Sequence, residues 1–124
     1  MLSVNQALKV FVGAKPTDMR RSFDGLMATA EQVMKQDPLS GHLFVFRNRN
    51  RDRLKILYWD RDGFAIWYKR LEKGTFQLPT DLMWEDEKRT SAEITTEELT
   101  LLLGGVDLSS VKKRKRYERP QKPR

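Results

Sequence analysis

The sequence predicts a small α+β domain followed by a basic tail. Apolar side chains recur at helical spacing between residues 17 and 36, and three runs between residues 43 and 71 are dense in aromatic and branched residues. The last 14 residues carry a concentrated positive charge. The predicted order is a short N-terminal strand, a long amphipathic helix, an antiparallel meander of three to four strands, a C-terminal helix and a disordered tail.

The distribution of charge separates a folded body from this tail. Residues 1–110 contain 16 basic and 16 acidic side chains, whereas residues 111–124 contain eight basic side chains and only one acid, Glu118. The tail therefore carries the whole net charge of +7. We predict one compact domain over residues 1–110 and a flexible tail over residues 111–124, because like charges repel and the tail offers no core residues.

The first predicted elements are a strand and a long helix. The segment LKVFVG at residues 8–13 is typical of a short strand. Thr17 is a suitable N-cap and Asp18 complements the helix dipole, so we expect a helix from there to about Gln36. Its apolar stripe comprises Met19, Phe23, Leu26, Met27, Ala30, Val33 and Met34. Gly25 within it indicates either close packing or a weaker helix.

Three further strands are predicted at Leu43–Arg47, Leu54–Trp59 and Phe64–Leu71. Asp62-Gly63 is the strongest hairpin signal, because an Asp-Gly pair tolerates left-handed dihedrals, and a loop of two or three residues fits it. The second and third of these strands are apolar on both faces, which one helix cannot cover.

The second predicted helix begins after Ser91, or after Thr95 and Thr96, ahead of two glutamates. It continues through Leu99 to Leu103 and ends at Gly104-Gly105. We expect it to cover part of the second face of the sheet.

Composition excludes several classes of site. The chain has no cysteine, so it has neither disulfides nor thiolate metal sites, and its one histidine, His42, has no nearby cysteine or acidic partner in the sequence. We predict no catalytic residues, no metal and no cofactor. No apolar run reaches the length of a membrane span, and the N-terminus lacks a secretory pattern. This predicts a cytoplasmic protein without a membrane partner, and association with the nucleoid is compatible with that location.

Two basic segments are candidate nucleic-acid contacts. The first alternates at a period of two, which in extended backbone places all its cations on one side for bidentate phosphate binding. Its members are Arg47, Arg49, Arg51, Arg53 and Lys55. The competing interpretation is that a five-residue loop interrupts the extended backbone and leaves a solvated hairpin tip.

The second basic segment lies in the tail and suits phosphate binding that does not depend on sequence. Its members are Lys112, Lys113, Arg114, Lys115 and Arg116. Nuclear targeting, an anchor on anionic lipid and a solubilising terminus are the other meanings of such a run.

Aromatic residues on the two-faced strands form a candidate partner surface. We expect any that remain exposed to bind protein, since large apolar patches are seldom bare on monomers. The candidates are Tyr58, Trp59, Trp67 and Tyr68. The partner on this hypothesis is another protein or a second copy of the chain.

Several longer sequence strings occur in an order that resembles a known family, and the resemblance extends over about residues 8–105. They are DMRRSFDGL at residues 18–26, GHLFVF at 41–46, KILYWD at 55–60, Gly63-Phe64, KRLEKGTF at 69–76 and Pro79. Together they are similar to the accessory protein of insertion sequence 66, the product of its second reading frame, often called TnpB. The RNA-guided nuclease that shares this label is a different and much longer protein.

The resemblance implies a role in transposition beside a larger transposase that holds the catalytic carboxylates. It implies no catalytic residue in this chain. We therefore expect a non-catalytic accessory protein that binds DNA, the transposase or both, with a protein interaction module that does not contact DNA as the alternative.

Overall fold

The computed structural model describes residues 8–78 and 89–105, which form a five-stranded mixed sheet with helical segments on both faces. The strands are β1 (Val10–Gly13), β2 (Leu43–Arg47), β3 (Arg53–Asp60), β4 (Gly63–Arg70) and β5 (Ser91–Ile94). The helical segments are α1 (Phe23–Ala28), a π-turn (Thr29–Val33), a 3-10 turn (Pro38–Ser40) and α2 (Thr96–Leu103). The predicted tail, residues 111–124, lies outside the described residues.

The strand order is β4-β3-β2-β1-β5. β2, β3 and β4 pair antiparallel in sequence order, whereas β1 is parallel to β2 and antiparallel to β5. The predicted α+β class is confirmed. The predicted sheet, an antiparallel meander of three to four strands, is incomplete, because β1 joins it through a parallel crossover and β5 adds a fifth strand.

One face of the sheet, called the α1 face, packs against α1 and the π-turn. The strands supply Phe11, Phe44, Phe46 and Leu57, and the helical segment supplies Leu26, Ala30 and Met34. The rings of Phe11 and Phe44 stack with centroids 5.8 Å apart. Full burial of such side chains contributes about 1.5–3 kcal/mol each. The side chains of this face therefore contribute a large part of the hydrophobic stabilisation of the fold.

The opposite face, called the α2 face, packs against α2 and the segment that follows β4. Its buried set comprises Val10, Val12, Leu43, Val45, Leu54, Ile56, Phe76, Leu78, Ile94, Leu99 and Leu102. The expectation that the second helix covers part of the second face is confirmed, since Leu99 and Leu102 are both buried there.

The predicted long helix from Thr17 to Gln36 is wrong in extent, because α1 begins at Phe23 after Ser22. The backbone N–H of Thr17 donates to the carbonyl of Arg47 over 2.7 Å, which keeps Thr17 beside the sheet. The carboxylate of Asp18 accepts hydrogen bonds from the backbone and guanidinium of Arg20 instead of capping a helix. A long-range hydrogen bond thus overrides a local helix-start signal.

The predicted apolar stripe is buried only in part. Leu26, Ala30 and Met34 face the sheet, whereas Phe23 and Val33 are 43% and 46% exposed. Gly25 marks close packing, since a Cβ there would lie 3.1 Å from the Cβ of Arg21.

The β3–β4 hairpin has a two-residue loop, because Asp60 pairs with Gly63. The backbone N–H of Asp62 donates to the carbonyl of Asp60 over 2.6 Å, which makes Arg61 the centre of a tight three-residue turn with φ of 60°. The hairpin is where the sequence predicts it. The expectation that Asp62-Gly63 supplies the left-handed dihedrals is wrong, since Arg61 adopts one and Gly63 begins β4.

α2 begins with a complete capping box. The hydroxyl of Thr95 accepts from the backbone N–H of Glu98 (3.0 Å), and the Glu98 carboxylate accepts from the backbone N–H of Thr95 (2.9 Å). Of the predicted starts, Thr95 is therefore the N-cap, while Ser91 begins β5, a strand that the sequence did not predict. The predicted end is confirmed, with Gly105 at φ of 90° after Gly104.

Replacing the N-cap tests how far α2 stabilises the α2 face. We expect Thr95→Ala to lower the free energy of unfolding by about 1 kcal/mol, because the backbone N–H of Glu98 loses its acceptor at the helix end. Urea denaturation monitored by far-UV circular dichroism measures this change.

The matched control is Thr100→Ala, which removes an exposed hydroxyl that bonds only to the Thr96 carbonyl within the helix. We expect no loss of stability, because alanine is the stronger helix former. Equal destabilisation by both variants would contradict the role given to the capping box.

Candidate nucleic-acid interface

The β2–β3 connection is a closed turn organised by Asn48. The amide oxygen of Asn48 accepts from the backbone N–H groups of Asp52 (3.1 Å) and Arg53 (3.0 Å). Its amide nitrogen donates to the carboxylate of Asp52 over 2.6 Å, and Arg51 adopts φ of 59°. The backbone is therefore not extended between the two strands.

This turn distributes the five alternating cations over different surfaces. Arg47 pairs with Leu54 on the α2 face, whereas Lys55 pairs with Phe46 on the α1 face. Arg49 and Arg51 lie in the turn, and Arg53 begins β3 on the α1 face. The expectation that all five share one side is wrong, because the five-residue loop resets the alternation of side chains.

Lys55 is a buried structural cation, 8% exposed. Its ammonium donates to the carbonyls of Met19 (2.9 Å) and Arg21 (2.7 Å) and lies 4.7 Å from the ring centroid of Tyr68. These contacts tie the segment before α1 to the middle of the sheet. A buried ammonium that is satisfied in this way positions the backbone and has little freedom to bind phosphate.

Arg47 is also buried, at 7% exposure. One guanidinium nitrogen donates to the carbonyl of Ala14 over 3.0 Å, while Nε has no hydrogen-bond partner in the part of the chain that the structure describes. Burial lowers the pKa of Arg47 below its usual value, and the charges of Arg51 and Arg49 lower it further. The positive charge of Arg47 adds to the electrostatic field of the other arginines at this end of the sheet.

The accessible part of the site is a cationic strip formed by the half-buried Arg53 and the exposed Arg70 and Arg49. Arg53 lies directly opposite Arg70 across β3 and β4, a like-charge pair that costs energy unless an opposite charge lies nearby. Arg70 forms an exposed ion pair with Glu72 over 2.9 Å. Arg49 is exposed in the adjacent turn.

A cleft of about 380 Å³ continues this strip beside the turn. It is lined by Pro16, Thr17, Asp18, Met19, Asn48, Arg49, Asn50 and Arg53. Hydrogen bonds from Arg20 lower the pKa of Asp18 to about 2, so the carboxylate is charged at neutral pH and offsets the charge of Arg20. The guanidiniums of Arg49 and Arg53 have no such partner among the cleft residues.

The four aromatic candidates lie on both faces of the sheet. Tyr58 and Trp67 are half-buried on the α2 face, against its core. Trp59 is half-buried near the hairpin turn, where its ring meets that of Phe64 edge to face at 5.2 Å. Tyr68 is 47% exposed, and its hydroxyl lies 3.4 Å from a guanidinium nitrogen of Arg53. The structure therefore brings only Tyr68 together with the cations.

Sequence reasoning missed Arg70. The signal was the Lys69-Arg70 pair near the end of a predicted strand, but only the two-residue hairpin loop fixes the register that sets Arg70 opposite Arg53. The tail candidates, Lys112, Lys113, Arg114, Lys115 and Arg116, lie outside the described residues.

Within residues 8–78 and 89–105, none of the helical segments could span a membrane. No cluster of three or more histidine or acidic side chains within these ranges has the arrangement of a metal site.

A family model described as "IS66 Orf2 like protein" matches residues 8–113, which include every described element. The chain belongs to the IS66 Orf2-like family. This is a family of insertion-sequence accessory proteins and not a known class of enzyme.

Two relatives of this IS66 Orf2-like chain come from Sinorhizobium fredii (strain NBRC 101917 / NGR234). The uncharacterized protein y4jC is 36% identical over 122 residues, which cover 98% of both chains. The uncharacterized protein y4hO is 35% identical over 107 residues, or 86% of this chain and 88% of the relative. No solved structure matches the chain.

In this family member, Lys55 should matter more to folding than an exposed lysine. We expect Lys55→Met to lower the free energy of unfolding by about 1.5–3 kcal/mol, because two carbonyls lose a charged donor. Thermal and urea denaturation measure the change, and backbone amide shifts around Met19 and Arg21 report its location.

The matched control is Lys69→Met, since Lys69 is exposed on β4, the strand that neighbours β3. We expect its stability to stay within about 0.5 kcal/mol of the wild type. If Lys55→Met were equally mild, the ammonium would not anchor the segment before α1.

Proposed function

We propose that this chain is a non-catalytic accessory factor of an insertion sequence that binds DNA through phosphate contacts during transposition. The observation that carries the proposal is a concentration of positive charge at one end of the sheet. Residues 47–55 and 69–73 together hold eight basic side chains and two acids. The backbone N–H of Leu71 donates to the carbonyl of Asp52 over 2.7 Å, so the two segments are in contact.

The guanidinium groups of this strip match the phosphate groups of a DNA backbone in charge and in hydrogen bonding. Arginine presents planar donors that match phosphate oxygens bidentately. Arg49 and Arg53 flank the 380 Å³ cleft, and Arg70 extends the strip toward the edge of the sheet. In this proposal these three side chains contact phosphate, while the buried Arg47 and Lys55 hold the surface in shape.

The predicted tail adds a second set of contacts in the proposal. All eight of its basic residues lie beyond residue 110. In this proposal the tail supplies affinity for DNA of any sequence, and the folded body sets the orientation of the protein on the DNA. Such phosphate contacts release counterions, and binding therefore weakens as salt increases.

A salt titration tests Arg49 and Arg53. We expect the double variant Arg49→Gln/Arg53→Gln to bind duplex DNA more weakly and to reduce the slope of log affinity against log salt by about 1.8, because each lost phosphate contact on a duplex removes about 0.9. Fluorescence anisotropy at several salt concentrations measures both quantities. A chain ending at residue 110 measures the share of the tail in the same way.

The matched control is Arg61→Gln, which removes an exposed cation at the hairpin turn, the opposite end of β3. We expect it to leave the slope unchanged. Arg61→Gln removes one charge and the double variant removes two. If the control reduced the salt slope by half as much as the double variant does, binding would follow net charge and not this surface. Absence of DNA binding by the wild type would reject the proposal altogether.

A second candidate function, binding to a transposase or to another copy of the chain, is favoured by the aromatic pair at the hairpin turn. Trp59 and Phe64 are only half-buried. Trp59 lies six positions after Arg53 along β3, which corresponds to about 20 Å of extended backbone. The aromatic end and the cationic end therefore serve separate partners in this proposal.

Replacing Trp59 tests this alternative. We expect Trp59→Ala to reduce co-purification with the transposase of the same element, or self-association by analytical ultracentrifugation, by at least about tenfold, as for a central aromatic anchor. DNA affinity should not change. The control Leu39→Ala removes an apolar side chain that is 54% exposed on the 3-10 turn. Unchanged association of a folded Trp59→Ala variant would exclude this surface.

A further inference from the structure

Tyr68 is an exposed aromatic ring set among cations. It lies on β4, whose one paired neighbour among the described strands is β3, so the ring is at an edge of the sheet. Its side chain is 47% exposed although the α1 face around it is a packed core. An exposed aromatic ring at this position offers a flat surface on which another ring can stack.

The contacts of Tyr68 fix the ring in place. In register it pairs with Lys55, whose ammonium lies 4.7 Å from the ring centroid. Its hydroxyl lies 3.4 Å from the guanidinium of Arg53. One side of the ring is therefore held by a buried cation that is itself anchored by two carbonyls, while the solvent reaches the rest. This arrangement is a rigid platform, which loses little entropy when a ring stacks on it.

Three arginines lie near the platform. Arg53 and Arg70 face each other across the strands beside Tyr68, and Arg49 lines the same cleft as Arg53. A flat ring next to several guanidiniums matches a nucleotide, with its base on the tyrosine and the neighbouring phosphates on the arginines. A duplex does not offer this fit, because its base faces are hidden in the stack.

We infer that Tyr68, Arg53 and Arg70 form a binding site for an unpaired nucleotide, so that the chain prefers single-stranded segments of DNA. This rests on the proposed function, because it specifies the form of DNA that the cationic strip takes. The base stacks on Tyr68, the phosphates on either side contact Arg53 and Arg70, and the cleft beside Asn48 and Arg49 receives the continuing strand.

The test compares Tyr68→Ala with Tyr68→Phe in the full chain. The probes are a 12-nucleotide thymidine oligonucleotide carrying one central 2-aminopurine and a duplex of the same length. We expect Tyr68→Ala to weaken single-strand binding about 5- to 150-fold, the loss usual for one stacked base, and to leave duplex binding within about twofold. Tyr68→Phe keeps the ring and should bind the single strand nearly as the wild type does.

Fluorescence of 2-aminopurine gives a readout that a merely structural role would not move. Stacking quenches it, so the wild type and Tyr68→Phe should quench the bound oligonucleotide and Tyr68→Ala should not. Phe23→Ala is the control, since Phe23 is 43% exposed on α1 and belongs to neither the strip nor the cleft. It should quench as the wild type does.

The outcomes separate the two proposals. Duplex and single-strand affinities that are both unchanged in a folded Tyr68→Ala variant would overturn the nucleotide site, while the salt slope of Arg49→Gln/Arg53→Gln would still support phosphate binding. Equal losses for duplex and single strand would also overturn it. If the wild type binds neither probe, both proposals fail.

Discussion

The ammonium group of Lys55 joins the segment before α1 to the sheet, a connection that strand pairing does not supply. It projects from the sheet onto the α1 face and donates to two carbonyls of the segment that leads into α1. That segment is otherwise joined to the sheet by the backbone hydrogen bond of Thr17. Because α1 covers a face built of Phe11, Phe44 and Leu57, the entry point of the helix decides whether those side chains leave water. A charged donor is suited to this position, since carbonyls facing an apolar core require a partner.

Four of the five described strands and both ends of α2 could be predicted because their signals are local. Alternation of apolar residues defines β3 and β4, and the Thr95–Glu98 pair with Gly104-Gly105 defines both ends of α2. The helix start at Thr17 was mistaken although Thr17 has the right chemistry for a cap. Its N–H bonds instead to Arg47, about 30 residues away in sequence. β5 is short and partly polar, and what stabilises it is its pairing with β1, which no local pattern encodes.

The candidate site was predictable in composition but not in arrangement. The basic residues were evident, and so was the question of whether the loop would break their alternation. The answer depends on the side-chain oxygen of Asn48, which accepts hydrogen bonds from two backbone N–H groups and closes the turn. Opposition of Arg53 and Arg70 depends on a hairpin loop of two residues, and a third residue would have moved Arg70 to the other face. Such details follow from register, which the sequence left open.

The opposed arginines also discriminate between two explanations of a basic edge. Lysine and arginine on an edge strand commonly prevent sheets from pairing with one another, and Lys69 and Arg70 on β4 fit that role. Arg53 does not, because β3 lies inside the sheet between β2 and β4. Protection of the edge needs no cation there, and placing one opposite Arg70 costs stability. The buried charges of Arg47 and Lys55 on the two faces increase that cost. An anion bound at the surface would lower it, so the charge pattern supports the proposed phosphate contacts more than it supports the avoidance of aggregation.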